Sequence, residues 1–161
     1  MTKEQVFVAK GKAPWFSNNW LDINKVISMN KLDSGTTVVC DGSVTDTTEM
    51  FHNCNELTSI DLSNFDVSNV VYMSGMFYYC FRITALDLSN FDTSNTVFMA
   101  WMFAGCEKLT TIKGVINMKS CEDCYNMFKN CPNLSGVKIK NPPSDFEAIS
   151  GLSKSQYTVV S

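Results

Sequence analysis

Cys121 and Cys124 bracket the stretch CEDC, and Cys106 and Cys131 lie within reach along the chain. Four thiolates are a zinc ligand set, and two thiols separated by two residues have the spacing of a redox dithiol. His52, the one histidine, stands two residues before Cys54, so an imidazole base and a thiol nucleophile can be drawn together. Asp61, Asp66, Asp87 and Asp92 repeat one period apart and raise acid catalysis or calcium. Whether any of this chemistry operates depends on the elements that carry the residues.

Those elements repeat. Met-Phe pairs fall at Met50-Phe51, Met76-Phe77, Met102-Phe103 and Met127-Phe128, in steps of 26, 26 and 25 residues. Cys54, Cys80, Cys106 and Cys131 keep one offset from the pairs, and Leu57, Ile83, Leu109 and Leu134 follow three residues later. Self-similarity at this period marks stacked units, none of which can bury its apolar face alone. Val70, Met73, Met76, Phe77 and Cys80 have the spacing of one side of a helix, with Ser68 and Asn69 ahead as N-cap types. Leu57-x-x-Ile60-x-Leu62 and Ile83-x-x-Leu86-x-Leu88 end in alternating apolar residues, which suits a strand. The spacing therefore predicts one short strand and one helix per repeat, a curved α/β solenoid with strands on one wall and helices on the other.

The segments LTSIDLSNFDVSNVVYMSGMF and ITALDLSNFDTSNTVFMAWMF resemble the repeat of bacterial surface proteins known as the BspA-like class of leucine-rich repeat. The likeness covers residues 44–140, about three fifths of the chain. It implies a leucine-rich-repeat-like solenoid that acts by binding, in settings such as cell surfaces and phage or prophage products. The organisation expected is a single domain over residues 1–161. Residues 1–43 form an N-terminal cap holding Phe7, Trp15, Phe16, Trp20, Ile23, Val26, Ile27 and Met29, with a degenerate strand near Val38 and Val39. About four repeats follow over residues 44–140. A C-terminal cap over residues 141–161 opens on a double proline and offers a short helix and a strand at Tyr157 to Val160.

Set in register, the chemical candidates acquire packing roles. Cys121 takes the place of Val70 and Cys124 that of Met73, while Cys106 and Cys131 are period cysteines; free cysteine behaves as a small buried hydrophobe. His52 shares a variable slot with Tyr78, Ala104 and Lys129, which points to the surface. Asp66 and Asp92 head polar turns, where a short acceptor favours the turn. No catalytic residue, metal ligand or cofactor is expected, and the chain reads as a non-enzyme.

Function should then lie where the repeats differ. Along the outward strand wall the middle position reads Asp61, Asp87, Lys113, Lys138, with Lys140 beyond, a passage from acidic to basic that would orient a partner. Off the inward stripe the central repeats carry Tyr72, Tyr78, Tyr79, Phe81, Arg82, Phe98 and Trp101, where outer repeats are mostly polar. Tyr, Trp and Arg dominate binding hot spots. The expectation is a protein-binding module, an intracellular effector or inhibitor that occludes a partner protein. A phage structural, receptor-binding or surface-adhesion module is the alternative, and a thiol or zinc enzyme is a third reading.

Bulk properties narrow the partners. A formal net charge of -3 argues against general affinity for nucleic acid or anionic membrane. No apolar run is long enough to cross a bilayer, and neither terminus carries a signal-peptide or anchor pattern, so a cytoplasmic location is expected. A phage particle or cell surface is the alternative, reached by another route of export.

Overall fold

The computed structural model describes residues 6–9, 36–41 and 44–161. Nine short strands and one helix follow in chain order. They are β1 (Val6–Ala9), β2 (Thr36–Asp41), β3 (Ile60–Asp61), β4 (Phe65–Asp66), β5 (Ala85–Asp87), β6 (Thr111–Lys113), β7 (Val115–Asn117), β8 (Val137–Lys140), α1 (Phe146–Ser150) and β9 (Tyr157–Val160). Every pairing is parallel: β1 with β2, β2 with β3 and β4, β5 with β6, β7 with β8, and β8 with β9.

This corrects the expected α/β solenoid with a helix in each repeat. The described residues are built from strands and turns, and five-residue α1 is their one helix. Met73 to Cys80 is a run of turns, and two physical facts explain why. Left-handed backbone recurs twice per repeat, at Glu49, Gly75, Trp101 and Asn126 and again at Asn53, Tyr79, Gly105 and Asn130, all with φ between 52° and 75°. A right-handed helix cannot run through such residues. Alternate backbone amides, moreover, bond outward to the next repeat. Phe51 N–H donates to the Met76 carbonyl, Phe77 to Met102 and Phe103 to Met127, each at 2.8 Å.

The three-residue spacing that imitated a helix comes from turns closed between residues i and i+3. Val70 N–H donates to Val67, Met76 to Met73, Cys80 to Phe77 and Ile83 to Cys80. A turn returns its fourth residue to the side of its first, so apolar residues three apart face inward without a helix. Met73, Met76, Phe77 and Cys80 are all fully buried.

Repeat lies on repeat in register. Isolated parallel bridges join Asp46 to Tyr72, Tyr72 to Phe98 and Phe98 to Asp123. Inside, the rings of Phe51, Phe77, Phe103 and Phe128 form a stacked column with centroid spacings of 5.2, 5.8 and 5.2 Å. Beside it the period cysteines donate to phenylalanine carbonyls of the preceding repeat: Cys80 Sγ to Phe51 O at 3.0 Å, Cys106 to Phe77 at 3.2 Å and Cys131 to Phe103 at 3.0 Å. Burying each ring contributes about 1.5–3 kcal/mol. One continuous cluster of buried apolar side chains runs from Val44 to Leu152.

The ladder shifts between the second and third Met-Phe repeats and those that follow. β5 and β6 pair Ala85 with Thr111, an offset of 26, whereas β7 and β8 pair Val115 with Lys138, an offset of 23. The change happens at Gly114, whose φ is +103° and whose position would bring an added Cβ within 2.7 Å of the Leu88 carbonyl oxygen. Only glycine combines that conformation with so close a backbone approach. At the chain's amino-terminal side, the expected strand near Val38 and Val39 is β2, while Trp15, Phe16, Trp20, Ile23, Val26, Ile27 and Met29 lie outside the described residues.

Candidate functional site

Turn geometry sets the outer surface. In each repeat the inward Met-Phe pair is flanked by the two left-handed positions, and the large side chains there and beside them are exposed or half-exposed. His52, Tyr78, Trp101 and Tyr125 occupy this surface in four successive repeats. The His52 ring stacks on Tyr78 with centroids 5.1 Å apart, Tyr78 meets Trp101 edge-on at 5.8 Å, and Trp101 meets Tyr125 edge-on at 5.8 Å. Tyr79 adds a ring 4.3 Å from Tyr78, and a hydrogen bond from the Tyr78 hydroxyl to Tyr79 pushes the Tyr78 phenol above its ordinary range. Lys129 holds its ammonium 5.4 Å from the Trp101 ring, close enough for cation–π attraction. A cleft of about 180 Å³ lies among Glu49, Gly75, Tyr78, Ala100 and Trp101.

Tyr79 and Trp101 sit at the left-handed positions themselves, each at φ 59°, where bulky side chains are uncommon. Their equivalents are asparagine, glycine and, in the first repeat, Glu49. Tyr79 is accommodated because its neighbour one repeat on is Gly105: a Cβ there would lie 2.6 Å from Tyr79 Cδ1. The ring thus lies over a backbone without a side chain.

The other sequence candidates fall into three places. Tyr72 and Phe98 stack on each other at 5.2 Å with planes 2° apart, Tyr72 being 47% exposed and Phe98 half-buried. Phe81 is exposed, and Arg82 is ion-paired to Glu56 at 2.8 Å. The charged wall is interrupted. Asp87 and Lys113 are opposite one another and bonded at 2.9 Å, but Lys138 pairs in register with Val115 because of the shift at Gly114. Hydrogen bonds from Ser89 and Lys113 bring the Asp87 carboxyl down to about 2. Asp61 accepts from Ser63 N–H as Asp87 does from Ser89, so both close side-chain turns as well as facing outward.

Tyr125, 54% exposed, was not among the partner-binding residues expected from sequence, nor were His52 and Lys129. The signal for Tyr125 was available: its column otherwise reads Thr48, Ser74 and Ala100, all small. The contact of Lys129 with Trp101 is a meeting of residues 28 positions apart with no spacing rule behind it.

The thiols divide into two groups. Cys54, Cys80, Cys106 and Cys131 form the inner ladder, where the Cys80 thiol and then burial raise Cys54, burial and neighbouring thiols raise Cys106, and burial brings Cys131 up to about 12. Cys54 turns inward, away from a dyad with His52, whose Nδ1 is 3.6 Å from Glu49. Cys121 and Cys124 contact each other elsewhere, and among the described residues no three His, Cys, Asp or Glu gather at a metal-binding spacing. A larger open cleft of about 910 Å³ is lined by Glu107, Lys108, Asn130, Asn133 and Gln156, with protonated Cys131 beside them.

Among the described residues no helix is long and apolar enough to cross a membrane. No curated protein and no solved structure matches the sequence. Residues 22–141, well over half of the chain, match the model of a family described as Mycoplasma protein of unknown function, DUF285. On that match, the chain belongs to the DUF285 family.

Proposed function

We propose that this chain is a non-enzymatic protein-binding module that occludes a working surface of its partner, acting in the cytoplasm as an effector or inhibitor. The observation that carries the reading is the row His52, Tyr78, Trp101, Tyr125, with Tyr79 beside it, continuous over four repeats and held outside the core. Rigid rings fixed by a hydrogen-bonded backbone lose little freedom on contact, which favours affinity. Tyrosine and tryptophan supply the area and a polar edge. Resemblance of the repeat motifs to a class that acts by binding supports the same reading. Six free cysteines among the described residues suit a reducing compartment, where thiols persist.

The test is capture on the immobilised chain from lysate of its source, identification of the protein retained, and titration of that purified protein against wild type and the double variant Trp101→Gly, Tyr79→Gly. Glycine is chosen because both positions have positive φ. Binding should weaken by roughly 30-fold or more, the loss of a hot spot of about 2 kcal/mol. Unchanged affinity in a folded double variant would remove the row from the interface.

A further inference from the structure

The period cysteines are sealed in the core, and one pair of thiols differs from them. Cys121 is half-buried and Cys124 is 1% exposed, on the bend that follows β7. In the two preceding repeats their columns hold Val70 and Met73, then Thr96 and Met99, all buried, so two adjoining inward slots have been given to sulfur. The Cys124 thiol lies against the Cys121 sulfur, and the Asp123 backbone N–H donates to Val97 O at 3.3 Å. The bend is anchored on both sides: Cys121 N–H donates to Met118 O, Glu122 N–H to Val97 O, and Asp123 bridges to Phe98.

We infer that Cys121 and Cys124 are a redox-active dithiol, with Cys121 the attacking and Cys124 the resolving thiol, closing to an intramolecular disulfide when the chain meets a low-molecular-weight disulfide of the glutathione class. Accessibility assigns the roles, since an external disulfide reaches the half-exposed sulfur and not the buried one. The neighbouring Cys124 thiol, and after it the Asp123 backbone N–H nearby, favour the Cys121 thiolate, opposing burial and the carboxylates of Asp123 and Glu122, and hold it below the ordinary thiol range. Cys124 is raised by its bond to Cys121, by burial and by the charges of Cys121, Asp145 and Asp123, and so stays protonated until the mixed disulfide forms. In the first step Cys121 sulfur bonds to one sulfur of the small disulfide and the other leaves as thiolate. Cys124 then gives its proton to that thiolate and attacks Cys121 sulfur, and the second small thiolate departs and takes up the proton released from Cys121. Two electrons pass from the protein to the small disulfide, which becomes two thiols. This pair is separate from the aromatic row and stands whether or not the row binds a protein.

The experiment uses the reduced wild-type chain and glutathione disulfide. Trypsin should release residues 120–129, which hold both cysteines, two hydrogen atoms lighter than the reduced peptide and free of glutathione, with the ladder cysteines still reduced. Under limiting iodoacetamide Cys121 should alkylate roughly tenfold faster than Cys54, Cys80, Cys106 or Cys131. In Cys124→Ser, glutathione should remain on Cys121. A wild-type peptide that keeps glutathione on Cys121, or one that stays reduced while ladder cysteines oxidise, would overturn the pairing. So would equal alkylation rates. Both wild-type readings hold even if the serine variant does not fold.

Discussion

Two aromatic columns run side by side through this molecule, one inside the core and one outside it. Phe51, Phe77, Phe103 and Phe128 stack inside with no exposure, and His52, Tyr78 and Lys129 follow three of them on the outside. The inner column tolerates one residue type because each ring must fill the same gap between the repeats before and after it. The outer column is met by solvent on one side, so its residues differ, and its rings reach each other by a mixture of stacked and edge-on contacts. Repetition thus reports packing in this chain, and departure from repetition reports surface. Tyr79 and Trp101 sharpen the contrast, since large side chains stand there on backbone that favours glycine.

The comparison breaks most visibly at the inner column. Phe77→Ala removes a ring packed between Phe51 and Phe103 and should cost about 3–5 kcal/mol in urea unfolding. A loss under about 1 kcal/mol would mean that the column is not a stacked core. At the outer column, Trp101→Gly removes edge contacts with Tyr78 and Tyr125 worth about 0.5–1.5 kcal/mol each while relieving left-handed strain of about 1–2 kcal/mol. Its unfolding free energy should stay within about 1 kcal/mol of wild type, and a loss as large as that of Phe77→Ala would make Trp101 a core residue. The smallest effect belongs to the charged wall. Lys113→Ala should raise the Asp87 carboxyl from about 2 toward the usual carboxylate range, seen by NMR titration, with little change in stability at neutral pH. The sign follows from linkage: a depressed folded pKa gives stability present above the ordinary carboxylate value of about 3.9 and lost as pH falls through about 2. An unmoved Asp87 would leave Ser89 as the whole cause.

The repeat and nearly all of its buried residues were legible before any coordinates, because a stacked column demands the same side chain at the same offset. The helix was not, although Val70, Met73, Met76, Phe77 and Cys80 fit one. Turns closed over three residues and a helix of 3.6 residues per turn place apolar side chains at overlapping spacings. Gly75 in the middle of the run was the one local sign of a break, and tyrosine at position 79 gave no hint of left-handed backbone. The continuous wall from Asp61 to Lys138 failed for a different reason: a pattern aligned by motif cannot register a ladder that slips at Gly114. Tyr72, Tyr78, Tyr79, Phe81 and Trp101 were singled out by contrast with polar equivalents, and the same contrast, applied to Thr48, Ser74, Ala100 and Tyr125, would have found the ring that completes the row.

The sequence alone determined which side chains are shared by every repeat, since burial against a copy of oneself constrains type and spacing together. Tertiary structure alone decided how the backbone travels between them, because alternate amides of these turns are satisfied by carbonyls about 25 residues away, and only those between them by the carbonyl three residues back. The distant bonds are chosen between repeats, and no local spacing records the choice.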